Sequence, residues 1–306
     1  MIFCVSIDLD PLRCYREIFG LPAQERADPL VERALPRFCQ LLASLGVPGT
    51  AFVVGASVAG RDNASARRAV KAAAAAGIEI ANHTSSHPYR LSAMSEREIA
   101  EEIQDGDRVL RRLTGARAPL GFRAPGYNLG PRVLPAAIRV GVRYDSSILP
   151  SLSYRVVKAA ALVALRIRGR RSLSLLGDLG EARAPITPYR PDPARPARRG
   201  DAPLIELPIG TVMDLPLVGG MLAMLGEHAV PWIARSLRKK KFVNLELHGV
   251  DFLDAKTDAI EPALARAQLD LRIPWKKKAA VFAAFIGEMK KSHQCLTLSE
   301  ASRLSW

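Results

Sequence analysis

Short apolar runs alternate with amphipathic stretches of ten or more residues along most of the chain, and no other feature constrains the fold as much. The run "IFCVSI" (2–7) precedes "PLVERALPRFCQLLASLG" (29–46), "GTAFVVG" precedes "NASARRAVKAAAAAG", and "IEIANH" precedes "SEREIAEEIQDGDRVLRRLTG". Further strand candidates follow at "LGFRAP", "VRYDSS", "PLIELPIG", "FVNLELHG" and "QCLTLSEA". Neighbouring parallel strands need a crossover of about a dozen residues between them, so this order predicts a parallel α/β sheet covered by helices. At least seven strand candidates in 306 residues favour a closed barrel over a two-layer open sheet, in one domain spanning residues 1–306.

Local signals mark the helix ends. Ser95 with Glu98 three residues on reads as a capping box, and Gly115 as the C-cap of the same helix. Asn63 and Gly77 bracket the alanine-rich stretch in the same way. "RAPITPYRPDPARPARRG", Arg183 to Gly200, is rich in Pro and Arg, and it predicts a loop without regular structure inside a basic excursion over about 151–203.

Charge narrows the partners. The net charge is +14, and between Arg155 and Arg199 eleven Lys/Arg stand against three acids, with further clusters at "RKKK" and "WKKK". That balance favours an anionic partner such as a phosphate-bearing substrate or an acidic membrane surface. Nucleic acid is disfavoured, because aromatics make up only 6% and are not interleaved with the basic runs. The four cysteines form no CxxC pair, which predicts free thiols in a reducing compartment. No apolar run reaches the roughly 18–20 residues needed to span a bilayer, and the chain starts on a strand rather than a secretory signal, so a cytoplasmic location is expected.

The polar motifs fall at the C-terminal ends of strand candidates, the face on which parallel α/β folds build active sites. "SIDLD" ends the first run with Asp8 and Asp10, which strand alternation sends to the same side. Two like charges that close call for a balancing cation. "NHTSSHP" supplies His83 and His87 at i and i+4, which one helical turn would bring together. Two imidazoles and a carboxylate make a three-ligand site with a position left open, the arrangement of hydrolytic zinc. Thr84 follows His83, so this is not HExxH, and the base must come from elsewhere; one first-strand acid would bind metal while the other, most naturally Asp8, takes a proton. "GFRAPGYN" carries Arg123, able to hold a carboxylate beside a turn with exposed N–H groups; "RYDSS" carries Asp145, placed to orient a basic group; "LELHGVDF" carries His248, a candidate general acid.

In this order, "SIDLD", "HTSSH", "RAPGY", "YDSS" and "LELH" resemble the successive motifs of the NodB-homology polysaccharide deacetylases, carbohydrate esterase family 4. The resemblance spans residues 1 to about 300. It implies a distorted (β/α)7-type barrel and metal-dependent hydrolysis of an N-acyl amino sugar. Carried over by position, Asp8 is the base, and Asp10, His83 and His87 hold a divalent metal, zinc by default with cobalt, manganese or nickel as alternatives. Arg123 orients the base, Tyr127 offers its backbone N–H to the oxyanion, and His248 is the acid, tuned by Asp145. Leu9 departs from the commoner Asp-Asp pair. The Asp-x-Asp form is similar to the branch that includes the deformylase of undecaprenyl-phosphate-linked aminoarabinose. That likeness implies a lipid-linked substrate met at the inner face of an anionic membrane, through the basic, apolar segment from Tyr154 to Gly177. Two other readings compete: a non-sugar amide hydrolase on the same barrel, and a non-catalytic protein that binds a membrane surface or an anionic ligand.

Overall fold

A computed structural model, describing residues 1–22, 28–60 and 62–306, centres the parallel sheet on the first strand. That strand, β1 (Ile2–Leu9), is buried along its whole length, as its near-continuous apolar run requires of a central parallel strand. Around it lie β2 (Thr50–Val53), β3 (Glu79–Asn82), β4 (Phe242–His248) and β5 (Gln294–Cys295). One edge of β1 pairs with β4 from Ile2↔Phe242 to Asp8↔His248; along the other, β5 pairs with Ile2 and Phe3, and β2 with Ser6 to Leu9. The strand β3 continues the order beyond β2.

Beyond β3 the sheet closes through single parallel bridges, Asn82↔Phe122, Phe122↔Asp145 and Asp145↔Glu206. The Gly210 N–H then donates to the Asn244 carbonyl at 2.8 Å, which returns the chain to β4. Phe122, Asp145 and Glu206 thus complete, with β1 to β4, the seven staves of the distorted (β/α)7 barrel expected from the sequence. Prolines limit two of the three short staves. Pro119 and Pro125 flank the first, and Pro203 and Pro208 flank the third, and proline gives no N–H to a ladder. Gly121 must stay glycine, because a Cβ there would run into the Tyr144 ring.

The larger helices are α1 (Leu30–Leu45), α2 (Ala64–Ala75), α3 (Glu96–Thr114), α4 (Gly130–Val140), α5 (Leu152–Ile167) and α6 (Trp275–Lys290). Helix α1 buries Leu30, Val31, Ala34, Leu35, Phe38 and Leu42 at helical spacing, with Phe38 edge-on to Phe252. The capping box at Ser95 and Glu98 is formed, and Gly115 closes α3 at φ +75°. At α2 the start differs from the expectation: the Asn63 amide donates to the carbonyls of Ala56 and Ala59 and does not cap the helix.

The basic excursion also corrects the sequence reading. Its first part is α5, and within the Pro/Arg-rich stretch Pro191–Asp192 and Arg195–Arg199 pair as an antiparallel hairpin. The Asp192 carboxylate accepts from the N–H groups of Ala194 and Arg195, an Asx turn that reverses the chain without demanding a donor from Pro193. Arg155 alone on α5 is buried; Val156, Val157, Val163 and Ile167 are exposed, Ile167 by 81%. The start of α5 is pinned by Ser151, whose hydroxyl accepts from the Tyr154 N–H, and by the Asp214 carboxylate, which accepts from Leu152 and Ser153. All four cysteines are free, with Cys4 and Cys14 buried. No helix among the described residues is long and apolar enough to cross a membrane.

Candidate metal and catalytic site

The register of β1 against β4 builds the core of the site. Ser6 lies opposite Glu246 and Asp8 opposite His248, so the period-two alternation of both strands presents these four side chains on one face. Asp10 follows just past the end of β1. From the end of β3 the chain enters the loop that holds His83 and His87.

That loop is not the helical turn the i, i+4 spacing suggested. Thr84 and His87 have φ of +67° and +59°, the His87 N–H donates to the Thr84 hydroxyl at 3.0 Å, and Pro88 disfavours a helical His87. Helix α3 presses on the loop through Gly106, where a Cβ would come 2.8 Å from the Thr84 carbonyl carbon. The two imidazoles nevertheless meet, with centroids 4.9 Å apart.

Asp10, His83 and His87 each offer a ligand atom, all within 4.8 Å of one another. His83 Nδ1 lies 2.8 Å from the Arg123 carbonyl, to which it can only donate, so in the neutral ring Nε2, 3.0 Å from Asp10 Oδ1, is the nitrogen with the lone pair. His87 Nε2 is 3.2 Å from the same oxygen and has no hydrogen-bond partner. One carboxylate oxygen faced by two imidazole nitrogens, one of them orphaned in a buried site, is a donor set that fits a divalent cation. Burial opposes the ionised form of Asp10, but His87 and His83 outweigh it and hold the acid well below the ordinary carboxylate range. Burial likewise works against a charged His83, yet Asp8 and Asp10 raise it above the usual imidazole range.

Asp8 is held from the other side. Arg123 is fully buried; it donates from one terminal nitrogen to Asp8 Oδ1 at 2.5 Å, from the other to the Ser6 and Ser146 hydroxyls, and from Nε to the Ser146 carbonyl. Its guanidinium stacks 4.1 Å from the Phe52 ring centre. The second Asp8 oxygen is 3.8 Å from His83 Nε2, which sets the acid beside the metal-type cluster and outside it.

His248 lies with Asp8 and Glu246 in a second group whose polar atoms fall within 4.8 Å. Burial disfavours its charge, but Glu246, Asp10, Asp8 and Asp251 outweigh that and push it up to about 9, so it carries a proton at neutral pH. Its Nε2 is 3.2 Å from the Tyr127 hydroxyl. Tyr127 has φ +59°, and its carbonyl accepts from Arg155 at 3.3 Å.

Asp145 departs from its expected place. Its partners are the Ser147 hydroxyl at 2.6 Å and the neighbouring Glu206 on the next stave, not His248. Burial raises both acids, and each leaves one carboxylate oxygen without a partner, the pattern of two carboxyls sharing a proton. The acids beside His248 are instead Glu246 and Asp251, whose carboxylate accepts the His248 backbone N–H at 2.7 Å. Sequence reading passes over both. Glu246 is visible in "LELH", two residues before His248 and therefore on the same strand face. Tyr154 and Lys158 of α5, and Cys14, whose thiol lies 3.2 Å from His87 Nδ1, carry no such signal. A cavity of about 240 Å³ joins Asp8, Asp10, His83, Tyr127 and His248 to Tyr154 and Lys158.

Comparison with known proteins bears on this site. The polysaccharide deacetylase family model matches residues 27–144, a segment that contains His83, His87, Arg123 and Tyr127 and stops short of His248. A chitooligosaccharide deacetylase of Sinorhizobium fredii is 32% identical over 90 residues, 29% of this chain and 39% of that protein, so the match spans about two-fifths of the relative's length. Among solved structures, a candidate polysaccharide deacetylase from Mycobacterium smegmatis superposes with a TM-score of 0.59 at 17% identity, over 98% of this chain and 88% of that one. The Puue allantoinase gives 0.59 at 16% identity, over 99% and 89%. At these identities the shared property is the barrel fold.

Proposed function

We propose that this chain is a hydrolase of the polysaccharide deacetylase type, removing an N-acyl group from an amino sugar. The observation that carries the reading is the juxtaposition of Asp10, His83 and His87 with an Arg-held Asp8 on one side and a protonated His248 on the other. Asp10, His83 and His87 would hold a divalent metal, zinc first, with cobalt, manganese or nickel as alternatives. Such an ion supplies Lewis-acid polarisation of the amide carbonyl and acidifies the attacking water. Asp8 accepts the proton of that water while Arg123 fixes its carboxylate. The backbone N–H of Tyr127 faces the developing oxyanion, and His248 donates its proton to the departing amine. The carboxylates of Asp10, Asp8 and Asp251 would help keep His248 charged, the part expected of Asp145.

The expected assay is release of acetate or formate from N-acetylated or N-formylated amino sugars. Chelation abolishes it and zinc restores it, while zinc raises the melting temperature of the parent chain and leaves that of His83→Ala unchanged. Equal activity before and after exhaustive chelation would reject the metal-dependent reading. The name of the Sinorhizobium fredii relative supports an acetylated glucosamine unit. The second reading, a non-sugar amide, is favoured by the fold shared with an allantoinase, and it predicts ureide hydrolysis with no acid released from sugar amides.

The finer reading is a lipid-linked sugar, met at the inner face of an anionic membrane. Its support is α5, whose exposed Val156, Val157, Val163 and Ile167 lie next to exposed Arg166, Arg168, Arg170 and Arg171, a pairing of apolar and cationic groups suited to anionic lipid. Sedimentation with phosphatidylglycerol vesicles should carry the chain down at low salt, and Val157→Asp with Ile167→Asp should release it. Equal sedimentation of the double variant would remove α5 from the interface.

A further inference from the structure

The cavity that holds the proposed chemistry has a second functional group that the hydrolysis leaves unused. Helix α5 places Tyr154 and Lys158 in its wall. The Lys158 ammonium makes one hydrogen bond, to the Gly126 carbonyl at 3.4 Å, and lies 5.5 Å from the Tyr154 ring centre. Among the described residues no carboxylate stands within ion-pair distance of it: the acid whose field it feels, Glu181, is already paired with Arg155. Burial and the Arg155 charge push Lys158 down to about 8, so a half-buried cation waits there without a counter-charge. Elsewhere on the same cavity wall, a Cβ added at Gly220 would meet nothing within 4 Å.

A cation left unpaired in a cleft is costly unless a ligand supplies the missing charge. Lysine binds phosphate as a point charge, without the planar geometry that an arginine fork imposes on its partner. We propose that Lys158 recognises a phosphate-type anion on the substrate, adjoining the N-acyl sugar whose amide lies at Asp8, Asp10 and His248. The proposal rests on the hydrolase reading for the amide end alone. The anion is either a phosphomonoester on a free sugar or the phosphodiester that joins a sugar to a lipid, two sources of one chemistry.

The test is calorimetric titration of the metal-loaded chain and of Lys158→Met and Lys158→Arg with inorganic phosphate, N-acetylglucosamine 1-phosphate and N-acetylglucosamine. Lys158→Met should weaken both phosphate ligands about 10- to 100-fold, the range of a charge-assisted hydrogen bond, and Lys158→Arg should keep most of the affinity. The preference in kcat/KM for the 1-phosphate over the unphosphorylated sugar should fall by a similar factor in Lys158→Met. Unchanged phosphate affinity in that variant, or an equal loss for the unphosphorylated sugar, overturns the proposal. Lysine-dependent phosphate binding without hydrolysis of any sugar amide supports the anion subsite and sinks the hydrolase reading, so the two failures are told apart. Tighter binding of a decyl phosphodiester of the sugar than of the monoester assigns the anion to a lipid linkage, and the reverse order assigns it to a free sugar phosphate.

Discussion

Asp8→Asn binds as much divalent metal as the parent chain and turns over sugar amides about 10²- to 10⁴-fold more slowly, the span of a lost general base. The three acids around the proposed water are unequal, and that inequality carries the expectation. Asp10 is clamped between two imidazoles and held well below the carboxylate range, so it makes a poor proton acceptor. Glu246 is pushed up to about 8 by burial and by Asp8, so near neutrality it already carries the proton a base must lack. Asp8 is ion-paired to Arg123 at 2.5 Å and stands outside the Asp10, His83 and His87 cluster, with its second oxygen 3.8 Å from His83 Nε2. Asparagine keeps its shape and the oxygen that Arg123 meets. Metal content by elemental analysis and kcat on one preparation check both halves; turnover at the parent rate would move the base elsewhere.

Arg123→Met should be the most destabilising single change in the site, by about 3–5 kcal/mol, because it strands the buried Asp8 carboxylate and takes a partner from Glu246. Arg123 is fully buried and ties three parts of the barrel together: β1 through Ser6 and Asp8, β4 through Glu246 at 3.4 Å, and the Asp145 stave through Ser146. Methionine fills similar space without charge, so the loss measures electrostatics more than a void. Denaturant unfolding checks the figure. In an Asp8→Asn background the same substitution should cost less by about 1–3 kcal/mol, the coupling expected of side chains in one network. Additive costs would mean that Arg123 stabilises the barrel independently of Asp8.

Much of this site was legible because chemistry in parallel barrels gathers at strand ends, and strand ends are visible in sequence. Asp8, Asp10, His83, Arg123 and His248 all stand there, and the structure gathers four of them around one cavity with Arg123 buried behind Asp8. What escaped is tertiary. Flanking prolines mark two of the short staves, but only the closed sheet shows that Phe122, Asp145 and Glu206 bridge through one residue each. The His83 to His87 loop reads as a helical turn until Pro88 and the approach of Gly106 are weighed together. Asp145 looked like a partner for a base, but its stave faces Glu206, and only the three-dimensional register of β4 shows that Glu246 stands beside His248. Lys158 lay in a segment whose composition suggested a surface, and it took the placement of α5 to bring it to the cavity.

The pairing of β1 also has a consequence for biosynthesis. This strand leaves the ribosome with both proposed actors, the base and a ligand, at its end, yet its neighbours on either edge include Phe242–His248 and Gln294–Cys295. Loop closure over more than two hundred residues must precede those two pairings, so the contacts of β1 with β4 and β5 form late even though the strand is made first. Until then β1 has only β2 beside it, along Ser6 to Leu9, and its opposite edge is open to pairing with another strand. The proposed centre is complete only after Phe242–His248 has been made and has paired with β1.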